Sequence, residues 1–126
     1  MMRAAASSLL VLLAACGGSS TPAGPTPPPA TNPYRITITP SGASPKTLTV
    51  PPGTRVLFIN NDTRRRNITS DPHPEHDECP EINTVGNLNP GQTKETGNLN
   101  TVRTCGFHDH DDPGNDAVRG SIVIRP

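Results

Sequence analysis

Leu48-Thr49-Val50-Pro51-Pro52-Gly53-Thr54-Arg55-Val56-Leu57-Phe58-Ile59-Asn60-Asn61 is the stretch that decides the fold. From Lys46 to Val50 polar and apolar residues alternate, the period of a strand with one buried face. Pro51-Pro52-Gly53 then interrupts the chain with turn chemistry: proline presets φ and glycine admits a positive one. Thr54 to Asn60 carries the unbroken apolar run Val56-Leu57-Phe58-Ile59, the pattern of a strand covered on both faces. Asn60-Asn61-Asp62 turns the chain again.

Working outward, the same grammar repeats. Tyr34 to Thr39 alternates apolar and polar; Asn67 to Ser70 reads as a short strand, Gln92 to Thr104 as one long or two short ones, and Ser121 to Arg125 as the last. Pro40-Ser41-Gly42 and Asn89-Pro90-Gly91 separate them. Beyond the N-terminal region no window longer than about ten residues carries a 3.6-residue apolar period free of proline or glycine. Many short strands with turns between them predict an all-β chain, a β-sandwich with Greek-key connections. Gly86-Asn87-Leu88-Asn89 recurs as Gly97-Asn98-Leu99-Asn100; one repeated tetrapeptide is not a repeat architecture, and the two read as similar turns. Asp71 to Pro90 is the longest irregular stretch and contains His73, His76 and Cys79. A loop of that length in a small domain is functional or cross-linked more often than not.

The N-terminus reads as a secretory signal. Arg3 supplies the positive start, and Ala4 to Leu13 is an apolar run too short for a membrane span. It ends in Leu13-Ala14-Ala15-Cys16-Gly17, which resembles a bacterial lipobox. That resemblance implies a signal peptide over 1–15, lipidation of Cys16, and a lipoprotein anchored in the bacterial cell envelope. Gly17 and Gly18 after the cysteine resemble the sorting context for the outer membrane of a two-membrane bacterium, facing periplasm or surface. Residues 16–33 are rich in Pro, Gly, Ser and Thr and read as an extended spacer. The remaining 34–126, roughly 90 residues, suffices for one small domain.

The 126 residues carry 11 Lys and Arg against 11 Asp and Glu, a balance that argues against nucleic acid as a partner. Arg64-Arg65-Arg66 reads as a solvated turn. Two Phe, one Tyr and no Trp leave a core of Ile, Val and Leu that a covalent staple would help. Neither a nucleophile elbow nor a H-E-x-x-H motif occurs, so the chain is not expected to be an enzyme.

The chemistry gathers in Cys105-Gly106-Phe107-His108-Asp109-His110, a thiol followed closely by two imidazoles. A soft thiolate with imidazole suits copper electron transfer. At this point the chain resembles the cupredoxins, the plastocyanin and azurin superfamily, over about 34–125. Leu48 to Asn61 is similar to the family's second and third strands, where a Gly turn precedes a "V-x-F-x-N" strand, Leu88-Asn89-Pro90-Gly91-Gln92-Thr93 to its "L-x-P-G" turn, Thr104 to His108 to its copper loop, and Gly120 to Ile124 to its closing strand. The resemblance implies copper held by Cys105 and His108, with His110 in that role in a longer-loop variant. Its upstream histidine position is occupied here by Arg66, and the only methionines are Met1 and Met2, so no axial Met follows.

Two readings then compete for Cys105. In one it is a copper thiolate. In the other, the two cysteines left after lipidation of Cys16 pair in an oxidising compartment, as an even count there suggests. Cys79–Cys105 would close a loop worth about 3 kcal/mol by loop entropy. If the Asp71–Pro90 loop folds back, His73, His76, His108 and His110 form a nitrogen-rich site for Cu(II) or Zn(II), with Glu75, Asp109 or Asp111 as added carboxylates. The functional expectation is a monomeric copper-binding envelope protein, passing electrons or holding copper, with a redox or copper-handling protein as partner. A metal-free, disulfide-stapled binding or structural module is the alternative.

Overall fold

The computed structural model describes residues 32–126; the expected signal peptide, Cys16 and nearly all of the spacer lie outside them. Nine strands follow in order: β1 (Arg35–Thr39), β2 (Gly42–Ser44), β3 (Thr47–Val50), β4 (Leu57–Asn60), β5 (Arg66–Ser70), β6 (Gly86–Leu88), β7 (Thr93–Glu95), β8 (Arg103–Asp109) and β9 (Gly120–Ile124). They form two sheets, β2-β1-β4-β7 and β3-β9-β8-β5-β6. Two short 3₁₀ segments, Pro80–Thr84 and Asp116–Val118, are the only helical turns among the described residues. The expected all-β sandwich is what forms.

The alternation of the sequence explains the layers. Ile36 and Ile38 of β1, Phe58 of β4, Ile68 of β5, Leu88 of β6, Cys105 and Phe107 of β8, and Ile122 and Ile124 of β9 are all fully buried between the sheets. Their polar neighbours face outward, as a two-residue period requires. β1 and β4 run parallel, as do β3 and β9, so each pair needs a crossover between the sheets. Phe58 and Phe107 meet edge to face across the sandwich with centroids 5.2 Å apart. In a core with so few aromatics this pair is the central contact between layers.

Several expectations change. Cys105 to Asp109, read as part of a loop, lie inside β8, paired with β9 from Arg103↔Ile124 to Phe107↔Gly120 and with β5 at Ile68↔Asp109. Gly42, read as a turn residue, opens β2. The first Gly-Asn-Leu-Asn repeat is strand β6 rather than a turn; in the second, Leu99 bridges Thr54 and is buried. Arg66 is not solvated like Arg64 and Arg65: it is buried and ion-paired with Asp62 at 2.6 Å and Asp109 at 3.1 Å. The arginine triplet begins in the turn, but its last member is the first residue of β5 and faces inward.

Candidate metal centre

Strand parity sorts the cysteine and histidines of β8. Cys105, Phe107 and Asp109 share the inner face, whereas Gly106 and His108 lie on the outer one, with His110 following in the same register. A thiolate at 105 and an imidazole at 108, three residues apart in one strand, point to opposite sides and cannot share an ion. The Cys105 sulfur is instead bonded to Cys79, with Cα atoms 5.7 Å apart and both residues fully buried. Of the two readings of Cys105 the disulfide forms, and no thiolate remains there to hold copper.

Position 66, to which the family resemblance carried the upstream ligand, meets Asp109 on the inner face. Arg66 donates through Nε and Nη2 to Asp62 Oδ2 and through Nη1 to Asp109 Oδ2. Burial works against the guanidinium charge, and the two carboxylates more than offset it, holding Arg66 above its ordinary value. The hydrogen bond from Arg66 lowers the Asp62 carboxyl below its usual range, against the opposite pull of burial. An ion-pair network thus fills this inner-face place. Asp109, considered as a supplementary ligand, is consumed by it: its other oxygen accepts from the backbone N–H groups of Asn67 and Asp111. Asp111 is paired with Arg65 at 3.0 Å, and Glu75 is exposed.

On the outer face the histidines converge. The loop after β5 folds back over β8, and one nitrogen from each of His73, His76, His108 and His110 lies within 4.8 Å of the others. His108 is 1% exposed although it sits on the outer face, because this loop covers it. His73 is exposed and His76 half-buried. The rings pack closely, His76 stacked on His108 with centroids 5.0 Å apart, and His73 within 5.1 Å of His110 and 5.5 Å of His108.

Hydrogen bonds fix which nitrogens are available. A carbonyl oxygen can only accept, so the 2.8 Å contact between His76 Nδ1 and the Ser70 carbonyl places the proton on Nδ1 and leaves a lone pair on Nε2. His108 Nδ1 lies 2.6 Å from Asp71 Oδ1, so the proton sits on Nδ1 and Nε2 likewise carries the lone pair, 3.4 Å from the Thr69 hydroxyl. This pattern, one ring nitrogen tied to an oxygen and the other left with a lone pair, is that of metal-ligating histidines. His76 Nε2 and His110 Nδ1 stand 2.8 Å apart. Nitrogens each about 2.0–2.1 Å from one ion lie at most about 4.2 Å apart, so four nitrogens within 4.8 Å of one another stand close to the span that one ion would take. Loss of hydration, then the neighbouring imidazoles of His110, His108 and His76, hold His73 below its ordinary value, which favours the neutral, ligating form.

The donor set therefore fits a nitrogen-ligated divalent ion and does not fit a thiolate copper centre. Sequence reasoning named all four histidines. It missed Asp71 and Ser70, which orient two of them; an Asp directly before a proline-rich histidine loop carries no signal of its own. It also missed Asp62, whose pairing with Arg66 at i, i+4 could have been read from the turn.

No protein-family model and no curated protein matches the chain. Solved structures do. A purple cupredoxin from Nitrosopumilus maritimus superposes with a TM-score of 0.56 at 18% identity, covering 73% of this chain and 99% of its own. The oxidised form of plastocyanin from Dryopteris crassirhizoma gives 0.56 at 16% identity, with 73% and 100% covered. A Cu(I) form of an amicyanin mutant gives 0.59 at 17% identity, with 77% and 86% covered. The described residues thus have the cupredoxin fold, with their histidine cluster on the outer face of the five-stranded sheet.

Proposed function

We propose that this protein binds copper as Cu(II) through His73, His76, His108 and His110, and holds or delivers the ion rather than passing electrons. The observation that carries the reading is the convergence of four imidazoles, two of them with the second nitrogen already tied to an oxygen. Imidazole suits copper and zinc, and among divalent first-row ions copper binds such donors most tightly. An all-nitrogen set lacks the soft sulfur ligands that favour Cu(I), so it suits storage better than rapid redox cycling. The cargo reading also fits the charge of the two loops: residues 71–79 and 109–116 each hold four acidic residues and no Lys or Arg, a field that attracts cations.

Cys16 would carry the lipid that keeps a monomeric domain at the bacterial envelope, where a copper-handling protein is the partner in keeping. Mass spectrometry of the membrane fraction tests the anchor: a diacylglyceryl adduct on a chain beginning at Cys16 is expected, and a soluble, unmodified chain would refute it.

Titration of Cu(II) into the purified protein tests the metal. One ion per chain is expected, with a weak visible band and no intense thiolate band. His108→Ala should weaken binding by more than the about 10–100-fold typical of losing an outer partner. If neither Cu(II) nor Zn(II) binds, and chelator leaves the melting temperature unchanged while reductant lowers it, the protein is the metal-free, disulfide-stapled module instead.

A further inference from the structure

We infer that Asp71 is the positioning residue of this centre, and that Gly106 is glycine in order to admit it; the inference rests on the metal-binding reading above. Asp71 is the first residue of the loop that carries His73 and His76, yet it is fastened to the strand that carries His108 and His110. Its backbone N–H donates to the Gly106 carbonyl at 3.0 Å, and its own carbonyl accepts from Glu78 N–H at 3.0 Å. Glu78 in turn accepts from Gly106 N–H through Oε2 at 2.9 Å. Asp71 and Glu78 thus clamp the two ends of the histidine loop onto one residue of β8.

The carboxylate of Asp71 then lies over the outer face at Gly106. His108 is the next residue along that face, two positions on. Any side chain at 106 would run into the Asp71 carboxylate, so glycine is required for close approach rather than for backbone freedom. From there Oδ1 reaches His108 Nδ1 at 2.6 Å, and Arg119 Nη2 stands 3.9 Å from Oδ2. Among the described residues the other hydrogen-bond partner of the His108 ring is Thr69 Oγ1, at a long 3.4 Å from Nε2. A hydroxyl can donate or accept and leaves the tautomer open; a carboxylate can only accept, and selects Nδ1–H. Asp71 therefore decides that Nε2 of the buried histidine is the atom offered to the ion, and it sets the ring plane.

The test compares Asp71→Ala, Asp71→Ser, Asp71→Asn and Gly106→Ala in the purified protein by two readouts. Long-range ¹⁵N–¹H spectra report the His108 tautomer without metal; competition titration reports affinity for Cu(II) and for Zn(II). In the parent protein His108 should be protonated on Nδ1. Asp71→Ala, or Asp71→Ser should the alanine variant not fold, should shift the proton toward Nε2 and weaken both ions about 10–100-fold. Gly106→Ala should do the same by displacing the carboxylate. Asp71→Asn keeps an acceptor oxygen and should restore the tautomer and most of the affinity, a rescue that a purely structural role for the charge would not show. Parent-like tautomer and affinity in Asp71→Ala or Asp71→Ser would overturn the role of Asp71 while leaving the metal centre standing. A parent protein that binds neither ion would instead overturn the centre itself, and with it this inference.

Discussion

His76 has a left-handed backbone, with φ of 54°, which a residue with a β-carbon adopts at a cost of about 1–3 kcal/mol. Three hydrogen bonds hold it there: its N–H donates to the Pro72 carbonyl at 2.7 Å, its carbonyl accepts from Asn83 Nδ2 at 2.8 Å, and its ring donates to the Ser70 carbonyl. The conformation aims the ring at the cluster. His76→Gly is accordingly a clean deletion, since glycine accepts this φ without strain. Its circular dichroism and melting temperature should stay close to those of the parent while Cu(II) affinity falls sharply; retained affinity would remove His76 from the site. Arg66 poses the opposite case, a charge whose partners are structural. Arg66→Met leaves two buried carboxylates uncompensated and should cost about 3–5 kcal/mol in denaturant unfolding at neutral pH. The pH dependence should change sign as well. In the parent, the lowered Asp62 carboxyl contributes stability that is present above the ordinary value of 3.8 and lost as pH falls through the lower folded value. In Arg66→Met, a buried Asp62 carboxyl without its cation favours the neutral form, so stability should be greatest below the ordinary value of 3.8 and fall as pH rises above it. Parallel pH profiles for the two proteins would contradict the network.

At the scale of elements, β8 carries both the staple and the site, on its two faces. Its inner face donates Cys105 to the disulfide, and its outer face presents His108 toward the loop. Cys79 ends the histidine loop, so the disulfide closes the chain across a separation of 26 residues and anchors His73 and His76 relative to β8. Replacing both cysteines by alanine should cost about 3 kcal/mol of stability through loop entropy. Cu(II) affinity should fall with it, because the loop must then be ordered at the expense of binding. Chemical unfolding and metal competition on the same variant measure the two effects; lost stability with full affinity would mean that Asp71 and Glu78 alone hold the loop. The turn at Asn60–Asp62 has a comparable economy: Asn60 Nδ2 donates to the Arg64 and Leu88 carbonyls, and Asp62 N–H donates to Asn60 Oδ1. Those bonds close the turn that delivers Arg66 inward.

For the whole molecule the sandwich is held by aliphatic side chains, one aromatic contact and one disulfide. Phe58 and Phe107 are both fully buried, and each joins the two sheets. Phe58→Ala should lower stability by about 3–5 kcal/mol in denaturant unfolding, a large share of what a domain of this size holds in total. A loss under 1 kcal/mol would place the core elsewhere. The layers were legible in advance because burial against a second sheet imposes a two-residue period that can be read residue by residue. Tyr34–Thr39 and Lys46–Val50 carried it, and the unbroken apolar run at Val56–Ile59 marked a strand covered on both faces. β2 and β6 did not, being three residues each and built on Gly42 and Gly86, which also serve as turn residues.

The candidate site was legible only as a set of residue types. Four histidines and two cysteines announce coordination or cross-linking, since those are the chemistries that imidazole and thiol perform. Which of them meet depended on two facts that are not local. Pairing with β9 and β5 turns Cys105–Asp109 into a strand, and that parity sends the cysteine inward and His108 outward. The loop from Asp71 then doubles back over the outer face, closing on Gly106 through contacts between residues about thirty positions apart. Strand period and turn chemistry are properties of neighbours along the chain, so the order of residues was enough for the fold. Convergence of His73 and His76 on His108 and His110 is a property of neighbours in space, and only the folded chain decides it.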